Sequence, residues 1–235
     1  MSFVSFEFAL LLPFLILAAA KLNGMWRQLF FVVSGFFFVA WLSFDYALVM
    51  AWVTLAAWAG GLALARFVDF RWSGRIALTV SIILTAAPLF YFKYFAFLSC
   101  VVGTATGDCA VVSYTTAEDL ILPLGVSFYT LHALGYLIDV YRYRHAAEPS
   151  LISFAAFIAY FPQLVAGPIA RSQYLLPQVK TKRQPDPEEI DSGVRLIVWG
   201  VFKKVVIADQ LTHLVDPVYA APGTFGGMML LVATI

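Results

Sequence analysis

The sequence predicts an all-α, polytopic transmembrane protein with one broken or re-entrant segment and several interfacial helices. Its 235 residues are 62% hydrophobic and only 12% charged, whereas soluble domains average about 45–50% apolar and about 25% charged residues. Several apolar runs approach the length of about 20 residues that a membrane span needs. The partner that these numbers predict is therefore the lipid bilayer, and no soluble domain is expected.

Charge and composition also exclude two kinds of ligand. The formal net charge is +1, which gives no basic surface for a nucleic acid. The chain has two cysteines and three histidines, too few and too scattered for a metal framework. We therefore expect no nucleic-acid partner and no bound metal.

The first half of the chain predicts four helices. Residues 3–20 read as a retained anchor helix, because a cleaved signal peptide would start with basic residues and this run carries Glu7 instead. Further helices are expected at 29–42, 46–65 and 76–98. A turn at Ser43 and Asp45 separates the first two of these, and Pro88 is expected to kink the third.

The distribution of charge predicts the orientation of these helices. The segments 21–28 and 66–75 carry lysine and arginine, whereas 99–119 carries three acids and no base. The positive-inside rule places the first two segments in the cytoplasm and the third outside. The sequence thus predicts a multi-pass protein of the cell inner membrane with an extracytoplasmic N-terminus.

Both cysteines, Cys100 and Cys109, fall in the outward segment. An oxidising exterior would allow them to form a disulfide. Two free thiols are the alternative, since spacing alone does not supply the geometry that a disulfide requires. The sequence leaves both states open.

Residues 120–138 form a span with a polar face. Steps of four, three, four and three residues align five side chains on one side of a helix: Gly125, Tyr129, His132, Tyr136 and Asp139. That face is expected to point at protein or at a water-filled cavity. One interpretation is the wall of a substrate funnel, with His132 as an acid or base. The other is helix packing, with Asp139 reaching the cytoplasmic headgroups.

Residues 151–170 are long enough to span, but both flanks carry cytoplasmic-type positive charge. Pro162, Gly167 and Pro168 interrupt the second half of the run. A re-entrant element is therefore expected, because broken backbone is tolerated at membrane depth only where protein or a cavity satisfies it. Gln163 would then face the pathway together with Gly167 and Pro168. A kinked interfacial helix is the alternative.

The segment 177–192 is polar, and Asp186 followed by Pro187 is a typical helix start. A helix is expected at 187–212, lying along the cytoplasmic face with Trp199 and Phe202 turned inward. After it, an apolar run at 225–235 is shorter than a span. We therefore expect residues 1–235 to be the front part of a longer chain.

Five stretches together resemble the membrane-bound O-acyltransferase (MBOAT) family, of the alginate O-acetyltransferase type. They are SFEFALLLPF at 5–14, FKYFAF around Lys93, ILPLGVSFYTLHALGYLIDVYR from Ile121 to Arg142, YFPQLVAGPIARSQYLLPQ from Tyr160 to Gln178, and WGVFKKVVIADQL from Trp199 to Leu211. The resemblance covers residues 1–235 as the N-terminal part of a single transmembrane domain.

The resemblance implies an enzyme that moves acetyl groups from a cytoplasmic donor, acetyl-CoA, through a funnel to an extracytoplasmic polysaccharide such as alginate, directly or through a partner acetyltransferase. It implies no tightly bound cofactor. The catalytic histidine motif of the family is absent from residues 1–235, so no residue of this chain inherits that role and the chain by itself is expected to be inactive. His132 is a candidate that the family motif does not support. A transporter or channel subunit and a non-catalytic membrane scaffold are the alternatives.

Overall fold

A computed structural model describes residues 6–67, 70–94, 125–142, 146–164, 167, 169–181 and 186–234. All regular secondary structure in these ranges is helical. The chain divides into two compact units, Ala19–Lys182 and a second unit formed by Met1–Ala18 with Arg183–Ile235. The all-α class predicted from the composition is confirmed.

Four helices make up the first part of the chain. They are α1 (Phe6–Lys21), α2 (Gly24–Ala40), α3 (Phe44–Phe67) and α4 (Arg71–Leu89), and α4 continues as a π-helical turn to Tyr94. The segments Phe44–Phe67 and Trp72–Tyr94, of 24 and 23 residues, are by length and composition apolar enough to cross a membrane. The shorter α2 is also apolar.

Next along the chain come α5 (Val126–Tyr141), α6 (Leu151–Ile158), α7 (Phe161–Leu164) and α8 (Ser172–Lys180). Within the unit Ala19–Lys182, α3, α4 and α5 pack against one another, while α2 packs on α3 and α6, and α6 packs on α8. The core between them contains these fully buried side chains: Met50, Val53, Ala57 and Leu64 of α3, and Tyr129, Tyr136 and Leu137 of α5.

Glycines allow the closest helix approaches in this core. A Cβ added to Gly60 would lie 2.6 Å from Ser81 Oγ of α4, and one added to Gly61 would lie 2.5 Å from Tyr136 Oη of α5. Because real Cβ atoms do not approach other atoms so closely, α3 can pack on α4 and α5 at these distances only with glycine at both positions.

Pro88 lies inside α4 and lacks the N–H group that would bond the carbonyl of Leu84. The indole Nε1 of Trp52, on α3, donates a hydrogen bond to that carbonyl at 3.0 Å. A π-helical turn follows at Phe90–Tyr94. The backbone irregularity expected at Pro88 is thus present, and a side chain of a neighbouring helix satisfies the carbonyl that the proline leaves free.

The second unit contains α9 (Pro187–Phe202), a π-helical turn (Lys203–Ala208), α10 (Asp209–Ala220), a 3-10 turn (Pro222–Thr224) and α11 (Gly227–Thr234). As predicted, Asp186 caps α9, its carboxylate accepting from the Glu188 N–H at 3.4 Å. Trp199 and Phe202 stack in parallel with ring centroids 5.3 Å apart. Both rings are exposed in this structure.

Several predicted boundaries were wrong. The second helix begins at Gly24 rather than residue 29, because Asn23 takes the extended N-cap conformation. The fourth begins at Arg71 rather than residue 76. Asp45 lies in the first turn of α3, where its negative charge faces the positive end of the helix dipole, and is not part of the preceding turn. The single helix expected at 187–212 is instead divided by a π-helical turn and extends to Ala220.

Candidate functional site

The polar face predicted from the sequence belongs to α5, and Gly125 sets where that helix begins. Gly125 is the N-cap residue and has φ +72°, in the left-handed region that favours glycine. A Cβ at this position would overlap the Leu164 carbonyl oxygen. The start of α5 and the end of α7 are therefore in direct backbone contact.

The side chains of the polar face are buried, as expected. Tyr129 and Tyr136 are fully buried, and His132 is 3% exposed. Asp139 is 7% exposed, so it does not reach out toward headgroups as the packing interpretation expected. Asp139 is therefore covered by other parts of the protein.

His132 holds the chain just before α8. Its Nε2 accepts a hydrogen bond from the Ala170 backbone N–H at 3.0 Å, and its ring lies 6.0 Å from the Phe157 ring, centroid to centroid. A general base uses the lone pair of a ring nitrogen to take a proton. In this structure the Nε2 lone pair already binds a backbone donor, so His132 connects α5 to the non-helical backbone at Ala170.

Tyr136 plays a similar part for the loop before α6. Its hydroxyl accepts a hydrogen bond from the Glu148 N–H at 2.9 Å, and its ring packs on Phe154 with centroids 4.6 Å apart. The hydroxyl of Tyr136 and the Nε2 of His132 thus each accept from a backbone N–H group that lies outside a helix and has no carbonyl partner within one. Such partners are what irregular backbone requires where water is excluded.

The segment predicted to be re-entrant is indeed broken. The helix α6 has only 8 residues, about 12 Å at 1.5 Å per residue. It ends at Ile158, four residues before Pro162, because proline offers no N–H to the carbonyl of residue i−4 and its ring clashes with that carbonyl. The break therefore falls at Ala159 and Tyr160, earlier than the sequence suggested.

At the break the segment touches α2 through a second close glycine contact. A Cβ on Gly35 would overlap the Ala159 carbonyl oxygen and lie 2.8 Å from the Ala159 carbonyl carbon. Nearer the start of α6, Ser153 Oγ lies 3.0 Å from Gln28 Oε1, also on α2. The broken segment is thus held from two sides, by α2 and by α5.

Two predicted site residues lie at the end of α7 and just beyond it. The Gly167 N–H donates to the Gln163 carbonyl at 3.2 Å, so the chain folds back tightly over Gln163. The side-chain Oε1 of Gln163 and the hydroxyl of Tyr129 are both buried, and neither has a hydrogen-bond partner among the described residues. They are two of seven such atoms among the described residues, and both belong to residues that the sequence placed in the site.

The remaining predicted residues are not tested by this geometry. Pro168, Cys100 and Cys109 lie outside the described residues, so the disulfide stays a prediction. Within the ranges that the structure describes, no three histidine, cysteine or acidic side chains lie close enough together to hold a metal ion.

Sequence reasoning missed Glu148 and Gly35. Glu148 is buried, and its carboxylate lies 2.5 Å from Lys180 Nζ. A single acid in a loop after a basic cluster resembles a surface residue, and only the position of α8 reveals its partner. Gly35 sits in an apolar helix where any small residue fits the pattern. The roles of Glu148 and Gly35 become visible only from contacts with residues far away in the sequence.

We predict that His132→Ala will lower the free energy of unfolding by about 1–3 kcal/mol, because it leaves the Ala170 N–H without its acceptor. His132→Gln keeps an acceptor oxygen at a similar reach and should retain most of the stability. Chemical denaturation of the purified variants in detergent micelles measures both values. Equal losses in the two variants would contradict the role of His132 as an acceptor.

Comparison with curated proteins identifies several relatives of this chain. The chain is 32% identical over 199 residues to the probable alginate O-acetylase AlgI of Pseudomonas aeruginosa, which covers 83% of this chain and 37% of that protein. It is 32% identical over 225 residues to the protein of the same name from Pseudomonas putida, covering 94% of this chain and 45% of the relative.

A relative with a different polymer in its name is the peptidoglycan O-acetyltransferase of Helicobacter pylori. It is 27% identical over 231 residues, which cover 87% of this chain and 43% of that protein. No family model matches the chain, and no solved structure gives a significant match. The chain spans less than half the length of these relatives. Over most of its length the chain is thus similar to proteins of the alginate O-acetylase type, in agreement with the resemblance of its sequence to the membrane-bound O-acyltransferase family.

Proposed function

We propose that the protein takes part in O-acetylation of an extracytoplasmic polysaccharide, moving acetyl groups across the inner membrane from acetyl-CoA on the cytoplasmic side. The observation that carries this proposal is the similarity of nearly the whole chain to relatives named alginate O-acetylase and peptidoglycan O-acetyltransferase. The acetyl group reaches the polymer directly or through a partner acetyltransferase. The N-terminus is proposed to be extracytoplasmic.

Two polar atoms of the predicted site are available for contact with a substrate. The hydroxyl of Tyr129 and the amide oxygen of Gln163 are buried without a partner among the described residues. Leaving such groups unpaired costs about 1–3 kcal/mol each, a cost that a binding site recovers when substrate arrives. By contrast, the polar atoms of His132 and Tyr136 bind backbone groups. We therefore assign Tyr129 and Gln163 to the funnel, and His132 and Tyr136 to holding its wall.

The names of the relatives do not favour the transporter or channel alternative. In our proposal the group that activates the acceptor lies in a part of the protein other than residues 1–235, and these residues shape the path. Expressed by themselves, residues 1–235 are therefore expected to transfer no acetyl group above a heat-inactivated control.

A matched pair of tyrosine variants tests the proposal in the complete protein. Tyr129→Phe removes a buried hydroxyl that has no described partner, so it should leave the amount of folded protein unchanged. It should lower polymer acetylation about tenfold, because a hydrogen bond of about 1–1.5 kcal/mol to the group in the funnel is lost. Tyr174→Phe, at a residue that is 67% exposed, should change neither quantity. Acetyl ester content per amount of membrane-extracted protein is the measurement.

The assay needs two polymer arms, because the names of the relatives differ. Cells lacking the native gene are complemented with the full-length gene, and the acetyl content of alginate and of peptidoglycan is determined separately. Restoration of acetylation in either arm supports the function and identifies the acceptor. No restoration in both arms, with normal protein levels, would contradict it. Wild-type acetylation by Tyr129→Phe would remove Tyr129 from the funnel.

A further inference from the structure

Glu148 lies in the loop 146–150, which precedes α6. Its side chain is 3% exposed, and burying a carboxylate is costly unless it is paired and hydrogen-bonded. Both carboxylate oxygens have partners. Lys180 Nζ lies 2.5 Å from Oε2, and the Ser150 N–H donates to Oε1 at 3.1 Å. The charge of Glu148 is therefore satisfied by two separate parts of the chain.

The loop around Glu148 also binds the preceding and the following helix. The Glu148 N–H donates to Tyr136 Oη on α5. Two residues later, Ser150 Oγ caps α6 by accepting from the Ser153 N–H at 3.3 Å. One residue thus connects the end of α5, the start of α6 and, through Lys180, the end of α8.

Lys180 is the last residue of α8, and the chain beyond it is fixed as well. The carbonyl of Thr181 accepts a hydrogen bond from Arg27 Nη1 on α2 at 2.7 Å. The broken segment begins at Leu151 and α8 ends at Lys180, so the Glu148–Lys180 ion pair closes a loop that contains Gln163 and Gly167. The two ends of this stretch meet at one ion pair, in which the carboxylate is buried and the ammonium is 38% exposed.

From this closure we infer that Glu148 and Lys180 are positioning residues, whose ion pair sets where the broken segment lies beside α5. Burying the Glu148 carboxylate costs desolvation free energy, and the half-exposed Lys180 ammonium offsets that cost without adding much net stability. The ion pair instead fixes the distance and direction between the Glu148 carboxylate and the Lys180 ammonium. The inference about placement rests on the contacts alone, and its consequence for acetyl transfer rests on the proposed function.

The placement is tested by amide hydrogen exchange of the full-length protein in detergent micelles. Glu148→Gln releases the half-exposed Lys180 ammonium to solvent, and Lys180→Met leaves the buried Glu148 carboxylate without its cation. Each should speed exchange in 146–150 and 172–180 about tenfold or more, while exchange in α3 stays at the wild-type rate. Lys180→Arg keeps the positive charge, so exchange in 146–150 and 172–180 should stay as slow as in the wild type.

A control variant and a double variant separate positioning from simple stability. Asp191→Asn breaks the exposed ion pair with Arg195, whose oxygen and nitrogen lie 2.8 Å apart, and should alter neither 146–150 nor 172–180. The double variant Glu148→Gln with Lys180→Met removes the buried carboxylate charge together with its cation, so the yield of folded protein should recover relative to Lys180→Met. Exchange in 172–180 should stay fast and acetyl transfer should stay low, because the distance constraint is gone.

Wild-type exchange in both single variants would overturn the inference, and so would a double variant that regains slow exchange together with full acetyl transfer. Equal acceleration in α3 would also overturn it, since the pair would then act on the whole fold. If the wild-type protein acetylates no polymer while the exchange results hold, the proposed function fails and the positioning role stands.

Discussion

Gly125→Ala should lower the free energy of unfolding by about 2–5 kcal/mol. A residue with a Cβ in the left-handed conformation costs about 1–2 kcal/mol, and Gly125 has φ +72°. The added methyl group would also overlap the Leu164 carbonyl oxygen, and overpacking of this kind costs about 1–3 kcal/mol. Chemical denaturation of the purified protein in micelles measures the total change in the free energy of unfolding.

Two other glycines separate these contributions. Gly24 also has positive φ, +54°, but nothing lies within 4 Å of its added Cβ, so Gly24→Ala should show only the conformational cost. Gly135 lies inside α5 with open space around it, and Gly135→Ala should stabilise the helix by about 0.5–1 kcal/mol. If Gly125→Ala costs no more than Gly24→Ala, α7 does not press on the start of α5.

Gly35→Ala should also destabilise the protein, by a smaller amount and for a different reason. Gly35 has ordinary helical geometry, but its added Cβ would overlap the backbone carbonyl of Ala159. A backbone atom cannot rotate away as a side chain can, so α2 and the broken segment must separate. We expect a loss of about 1–3 kcal/mol in the free energy of unfolding, measured by the same denaturation.

The neighbouring residue supplies the control for that variant. Ser34 is on the same helix, and its hydroxyl bonds the Phe31 carbonyl of its own helix, at 3.2 Å. Ser34→Ala should therefore change the free energy of unfolding by no more than about 0.5 kcal/mol. A loss as large as that of Gly35→Ala would show that α2 is sensitive to any substitution, and not to the contact with Ala159.

Local patterns predicted much of the fold. The apolar composition predicted the helical class, Asp186 predicted the start of α9, and the prolines predicted irregular backbone at α4 and α6. The regular spacing of Tyr129, His132 and Tyr136 predicted a buried face, and all three are buried. Each of these signals is contained within a few turns of chain, so a single sequence carries it.

Other features depend on contacts between distant residues and could not be predicted. Spacing placed His132 on a buried face, but could not show that its Nε2 binds the Ala170 N–H, 38 residues away. Nor could it show that Glu148 meets Lys180 or that Gly35 meets Ala159. In a single sequence these residues look like a surface acid, a surface base and a small residue in an apolar helix.

The short length of α6 has a consequence for how the protein is made. At about 12 Å this helix cannot cross about 30 Å of hydrocarbon by itself, and its partners are on a helix synthesised much earlier. Gly35 meets the carbonyl of Ala159, which is made 124 residues later (159 − 35). At a translation rate of about 5–20 residues per second, that interval lasts about 6–25 s. Until Ala159 is made, the face of α2 that bears Gly35 lacks this partner, and slowing the ribosome in this interval should lengthen the exposure of α2 to proteases.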